Sequence, residues 1–328
     1  VSVLRLAKYH GLGNDFLLLA GASVDGSGDA PALGPAEVVA LCARHTGIGA
    51  DGVITLVPLR PGVVRMTLRN ADGSLAETSG NGLRCAALAA LDGGLAGRAE
   101  VVIETGGGTA TARLTDRLPG GAWIEVSFGT ALLGEVVEPV LGRVARLVDT
   151  GNPHLVLYQR PGGSPVPPLR AGELAVLEHG PDGSVAGGLN VEAVRVVAPA
   201  GERGVGPAVV DLVVWERGAG ETLACGSGSV AAAAALRSAG LVGDRVEVRN
   251  PGGSLVVELA GPLDAPSATL GGPAVLVARL EVDADSLAAA VAAAPGAAAV
   301  ASGARSGPAP AGRGAASESV AEGVTAPR

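Results

Sequence analysis

One stretch constrains this chain more than any other, because it occurs twice. The later copy, Trp215-Glu-Arg-Gly-Ala-Gly-Glu-Thr-Leu-Ala-Cys-Gly-Ser-Gly-Ser229, sets Cys225 just ahead of a Gly-Ser-Gly cluster and an alanine-rich run at 230–236. The earlier copy, Arg69-Asn-Ala-Asp-Gly-Ser-Leu-Ala-Glu-Thr-Ser-Gly-Asn-Gly82, precedes a similar run at 83–91. Each run breaks at glycine and leads into an alternating, strand-like segment, 100–105 and 245–249. Each strand then passes a Gly-Gly turn into a second one, 109–114 and 254–259. A repeat of this length predicts two similar halves, each aiming one small polar residue from a helix N-terminus. In the second half that residue is Cys225; in the first it is Ser79.

Composition narrows the setting. The chain has 328 residues, enough for two domains. Trp, Tyr and Phe number two each, so the core must be built from Val, Leu and Ala. A net charge of −8, with basic residues scattered, argues against a nucleic-acid or anionic-membrane surface. No apolar stretch is long enough to span a bilayer. Three cysteines give no disulfide framework and fit a reducing cytoplasm, and the four histidines lie far apart, away from any metal-ligand spacing. The expectation is a cytoplasmic protein without structural zinc.

Further strands are expected at 3–9, 17–20, 53–57, 63–68, 122–128, from 147 into a tight turn ending at 154 and resumed at 155–158, opening at 187–192, and at 209–215 and 275–282, with a helix at 36–44. The first two flank His10-Gly-Leu-Gly-Asn-Asp-Phe16, a corner where backbone can approach a ligand, or an ordinary hairpin turn. Gly47-Ile-Gly-Ala-Asp-Gly52 matches the dinucleotide fingerprint letter for letter, but a helix precedes it and a strand follows, the reverse of what that fold needs. It reads as a glycine-rich turn. The organisation expected is an N-terminal half at 1–130, a C-terminal half at 131–274, and a last strand at 275–283 returning to the N-terminal half. A low-complexity tail at 284–328 has too little apolar surface to fix a fold, beyond a transient helix at 287–294.

The repeat implies chemistry. A cysteine just before a helix has unpaired N–H groups and the positive dipole end behind it, which lowers a thiol from ~8.5 towards neutrality. The same N–H groups form a site for a carboxylate. Two such helix ends facing each other would grip one carboxylate, and a residue from each could reach opposite faces of the α-carbon. Removing a proton from one face and returning one to the other inverts the centre, with the held carboxylate stabilising the intermediate. A Glu-Thr pair stands before each glycine cluster, Glu77-Thr78 and Glu221-Thr222.

The chain resembles the diaminopimelate epimerase family. The matching pieces are His10-Gly-Leu-Gly-Asn-Asp-Phe16, Arg44-His45 with Gly47-Ile-Gly-Ala-Asp51, Asn70-Ala-Asp-Gly73, Gly80-Asn-Gly82 with Arg84-Cys85, Gly151-Asn-Pro-His154, Asn190, Glu216-Arg-Gly-Ala-Gly-Glu-Thr222 and Ala224-Cys-Gly-Ser-Gly228. The resemblance implies an α/β (α+β) fold of two pseudo-symmetric domains, each a curved, mainly antiparallel sheet wrapped on a central helix, with the site in the cleft between them. It implies cofactor-independent epimerisation of LL- to meso-diaminopimelate, without pyridoxal phosphate or metal. Carried over, Cys225 matches a catalytic cysteine, while His154 and Glu216 flank the catalytic pair. Gly80, Asn81, Gly226 and Ser227 match carboxylate donors. Asn14, Asn70, Asn152, Asn190, Glu216 and Arg217 match residues that bind substrate, as a zwitterionic distal end requires.

Two departures stand out: Gly52 replaces a Gln found in some members, and Ser79 replaces the second catalytic cysteine. Ser79 is a far poorer base than a thiol, and Cys85, about 240° round the helix and ~9 Å along it, is expected in the core. Alternatives therefore stay open: a one-base racemase or dehydratase of the same fold, or an impaired paralogue that binds an amino acid. A homodimer is left open.

Overall fold

The computed structural model of the chain describes residues 3–20, 33–76, 79–97, 99–160, 162, 167–198 and 207–293. The chain opens on a hairpin of β1 (Val3–Gly11) and β2 (Asn14–Ala20). Its two-residue turn holds Leu12 and Gly13 at φ 56° and 88°, the left-handed conformation that matches the twist of paired strands. Then α1 (Pro35–Cys42) leads to β3 (Gly52–Arg60), parallel to β2, and β3 turns back into β4 (Val63–Asn70). After the short β5 (Leu75–Ala76) comes α2 (Gly80–Asp92). Next β6 (Glu100–Thr105) returns parallel to β4, and β7 (Gly108–Leu118) and β8 (Gly121–Thr130) follow antiparallel.

The second half repeats this step for step. β9 (Leu132–Val140) leads into a hairpin of β10 (Arg143–Asp149) and β11 (Pro153–Tyr158). Through α3 (Ala171–Leu174) the chain reaches β12 (Asn190–Ala198), parallel to β11, then β13 (Ala208–Glu216). The short β14 (Gly220–Glu221), α4 (Gly226–Ser238), β15 (Arg245–Asn250) parallel to β13, and β16 (Gly253–Ala260) complete it. The long β17 (Ser267–Asp283) pairs in turn with β16, β8 and β1, stitching both halves into one sheet.

The two repeated helices are the cores of their halves. Every residue of α2 from Gly80 to Ala90 is buried, as are Gly226 and Gly228 to Leu236 of α4. A helix buried on all sides must be apolar all round, and alanine lets the sheet close on its backbone. The expected Val, Leu and Ala core is the one found. Among the described residues no helix is long and apolar enough to cross a membrane.

Some boundaries differ from expectation. β9 went unread because its surface is exposed on both faces, leaving no alternation to detect. β17 begins at Ser267, before the expected 275, and runs through Gly271 and Gly272. Both glycines are packing positions: a Cβ would lie 3.0 Å from Trp123 Nε1 at Gly271 and 2.4 Å from Leu255 at Gly272. The tail expected from 284 starts instead with α5 (Ala284–Ala293), whose Leu287 packs with Val38 and Leu41 of α1. Residues 294–328, like Glu77 and Thr78, lie outside the described residues. The turn at 47–52 has its helix before and strand after, and a Cβ at Gly47 would meet Ala40 O at 2.1 Å.

Candidate active site

Ser79 and Cys225 occupy equivalent places. Ser79 caps α2 with φ −143° and ψ 118°, and its Oγ accepts from Gly82 N at 3.0 Å. Cys225 caps α4 with φ −114° and ψ 117°, and its Sγ accepts from Gly228 N at 3.3 Å. The first intrahelical bonds run from Leu83 N to Ser79 O and from Ser229 N to Cys225 O. The N–H groups of Gly80, Asn81, Gly226 and Ser227 precede those bonds, which leaves them for a ligand.

The two helix ends touch. A Cβ built on Gly226 would sit 3.2 Å from Gly80 Cα and 3.0 Å from Leu270 Cδ2, so neither terminus tolerates a side chain there. Asn81 fastens them: its Nδ2 donates to Ala224 O at 3.1 Å and to Asn14 Oδ1 at 3.2 Å, while Arg84 Nη2 donates to its Oδ1 at 2.6 Å. Gly226→Ala is accordingly expected to force the helix ends apart, reducing turnover by about tenfold through misplacement of the reacting groups. Steady-state kinetics beside a thermal melt separates this from unfolding.

A cleft of about 510 Å³ opens over the junction. Ten expected residues line it: Asn14, Asn70, Ser79, Gly80, Asn81, Asn152, Glu216, Cys225, Gly226 and Ser227. Three others do not line it: His154 and Asn190 are buried behind the wall, and Arg217 is exposed. His154 is fully buried, with Nδ1 2.6 Å from Glu192 Oε1 and Nε2 3.1 Å from Asn152 Oδ1. Asn190 donates to Pro153 O at 3.2 Å and accepts from Arg217 N at 3.0 Å, pinning the turn after β13. The Arg217 guanidinium donates to Gly187 O at 3.2 Å.

Electrostatics changes one expectation. Burial, then the charges on Glu216 and Glu192, push the Cys225 thiol well above its ordinary value, outweighing the hydrogen bonds from Ser227 and Gly228. The expected lowering towards neutrality is reversed, because the helix end is dry and two carboxylates stand beside it. Burial also raises Glu216, against hydrogen bonds from Thr222 and Cys225. A raised carboxylate is a better proton acceptor, and Glu216 adjoins the Cys225 thiol. Burial carries Cys85 up to about 12 and Cys42 up to about 11, and neither lines the cleft. Cys85 is core, as expected.

Some lining residues went unassigned in the sequence. Thr222, half of the Glu-Thr pair, donates to Glu216 Oε1. Arg44 and Asp51, noted only as family-like, form one floor of the cleft: Arg44 Nη2 lies 2.9 Å from Asp15 and 2.5 Å from Asp51, and Asn14 Nδ2 donates to Asp51 at 2.8 Å. Lys8 Nζ is 2.8 Å from Asp15. Arg84 had no role assigned, yet it is fully buried and hydrogen-bonds to Gly80 O and Asn81, and desolvation lowers it to about 10.

Burial alone would raise Asp15, but the hydrogen bonds and charges of Arg44 and Lys8 prevail and hold it below its ordinary value. A depressed carboxylate contributes stability that is present above its unfolded value and lost as pH falls through its folded value. Asp15→Asn should therefore destabilise by about 1–2 kcal/mol at neutral pH. In denaturant melts the gap from the parent should close on acidification below about pH 4.

The diaminopimelate epimerase family model matches residues 6–133 and 146–277. The chain is 35% identical over 295 residues to the diaminopimelate epimerase of Moorella thermoacetica, covering 84% of this chain and 98% of that one. It is 38% identical over 311 residues to that of Mycobacterium avium, covering 85% and 97%. A probable proline racemase from Agrobacterium radiobacter, solved with bound carbonate, shares the fold at TM-score 0.60 and 18% identity, over 87% of this chain and 94% of that one. A hydroxyproline epimerase from Agrobacterium vitis, solved with bound trans-4-OH-L-proline, does so at 0.59 and 20%, over 86% and 93%. With the family match running through both copies of the repeat, and those relatives spanned almost end to end, the chain belongs to the diaminopimelate epimerase family.

Proposed function

We propose that this chain interconverts LL- and meso-diaminopimelate by cofactor-independent proton transfer at the α-carbon, feeding lysine and peptidoglycan synthesis in the cytoplasm. The observation that carries the reading is the meeting of α2 and α4 at Gly80 and Gly226, which brings an N-cap hydroxyl and an N-cap thiol to one polar cleft. The reacting carboxylate sits on the N–H groups of Gly80, Asn81, Gly226 and Ser227, which stabilise the charge that develops when the α-proton leaves. Cys225 passes its proton to Glu216, which releases it to water in the cleft, and as thiolate takes the α-proton. Ser79 delivers a proton to the opposite face and recovers one from water in the cleft. Asn14, Asn70 and Asn152 receive the distal amino-acid end. Arg217 turns towards the distal carboxylate, and Asn190 holds its loop.

The test is to incubate the purified protein with LL-diaminopimelate in heavy water. The expected result is meso product carrying one deuterium at the inverted carbon. Exchange without inversion, or binding with neither exchange nor inversion, would overturn the reading.

A further inference from the structure

Side chains of β12 alternate between two faces. Val191 and Ala193 pack with Leu155 and Leu157, while Val194 joins the core around α4. Glu192 shares the α4 face with Asn190 and Val194, so a carboxylate with no exposed surface stands in a row of core positions. Its Oε1 is 2.6 Å from His154 Nδ1, and its Oε2 has no hydrogen-bond partner among the described residues. A Cβ on Gly228 would lie 2.5 Å from Glu192 Oε1, so the last glycine of the Gly-Ser-Gly cluster makes room for this carboxylate.

The repeat supplies an internal control. Glu192 pairs with Val214, two residues before Glu216; in the first half Ile54 pairs with Leu68, two residues before Asn70. His154 pairs with Asn190 at the start of β12, and Phe16 pairs with Gly52 at the start of β3. The counterparts of His154 and Glu192 are thus Phe16 and Ile54, and a Cβ on Gly82 would meet Ile54 Cδ1 at 3.3 Å where one on Gly228 meets Glu192. The fold accepts an apolar pair at these places beside Ser79. An ionisable pair occurs beside Cys225.

We propose that Glu192 is the positioning residue of the Cys225 half-site, holding His154 through its Nδ1 proton and setting the negative field in which the thiol ionises. This rests on reading Cys225 as the reacting thiol. His154 Nε2 lies 3.1 Å from Asn152 Oδ1, and Asn152 continues the line to the cleft wall. The ionisable groups around Cys225 are Glu216 on β13, Glu192 on β12 and His154 on β11. The facing α2 terminus presents Ser79 and Asn81, with Arg84 behind Asn81. Burial and the charges of Glu216 and Glu192 act together to keep the proton on sulfur.

The test needs no substrate, so its failure is distinct from failure of the epimerase reading. Iodoacetamide labelling of Cys225, followed by peptide mass spectrometry across pH, reports the thiol midpoint. Glu192→Gln should move that midpoint down by about one pH unit, whereas Glu192→Asp, which keeps the charge, should restore most of it. An unmoved midpoint in a folded Gln variant, or equal movement in both variants, overturns the proposal. Should the Gln variant not fold, nitrogen NMR of the unmodified protein decides: a proton on His154 Nδ1, in the hydrogen bond to Glu192 Oε1, is expected. An unprotonated Nδ1 would make Glu192 the donor, without charge, and overturn it.

Discussion

Cys225→Ala is expected to lower both α-proton exchange and inversion by at least about 10³-fold, near 4 kcal/mol of transition-state stabilisation. The cradle of N–H groups survives the change, because it depends on the backbone of α2 and α4 and on contact at Gly80 and Gly226. The lost group is the one with a proton acceptor beside it, Glu216, raised by burial. Folding should suffer less: the variant removes the sulfur that accepts from Gly228 N, a cap worth about 1 kcal/mol. Substrate affinity should change little, since the proposed carboxylate donors are backbone N–H groups that the variant keeps. Parent-like exchange in this variant would remove Cys225 from the chemistry, whatever the inversion rate.

The repeat told most of what could be read beforehand, because helix ends carry signals in consecutive residues. Ser79 with Gly80-Asn-Gly82 and Cys225 with Gly226-Ser-Gly228 announce two N-caps, and both helices start where those residues predict. What escaped notice depends on long-range parity. Glu192 in isolation looks like an outward strand residue. Its inward direction follows only from the registers of β11, β12 and β13. Arg84 likewise sits in an alanine helix where a charge would ordinarily mark the solvent face, yet α2 has none there. β17 hid its first half behind glycines that serve packing. The raised Cys225 thiol was misjudged because the helix end is local in sequence, while Glu192 and Glu216 arrive from other strands.

Those strands also explain why the two half-sites are unequal. The Cys225 side carries Glu216, Glu192 and His154; the equivalent positions beside Ser79 carry Asn70, Ile54 and Phe16. Ionisable side chains are concentrated around α4, while on α2 the buried Arg84 fixes Asn81.

Ser79→Cys is the change expected to raise activity, by about 10²-fold or more in kcat, the scale of one properly matched acid–base group. The backbone is ready for it, since Ser79 and Cys225 cap their helices with nearly the same φ and ψ and the same N–H partner two residues into the helix. A thiol at this place ionises far more readily than a hydroxyl, and the α2 N–H groups would stabilise its anion. The site would then have a base for each face of the α-carbon. KM should stay close to the parent value, because neither the cradle nor the distal residues change. In heavy water, with reductant present, early product should carry deuterium while recovered substrate carries little, as two separate proton carriers require. The double variant Ser79→Cys with Cys225→Ala should stay near the level of Cys225→Ala, since a thiol on the α2 side alone serves one face and lacks Glu216 and Glu192 beside it. A single variant no faster than the parent would mean that the hydroxyl already suffices, and that proton return at the Ser79 face does not limit turnover.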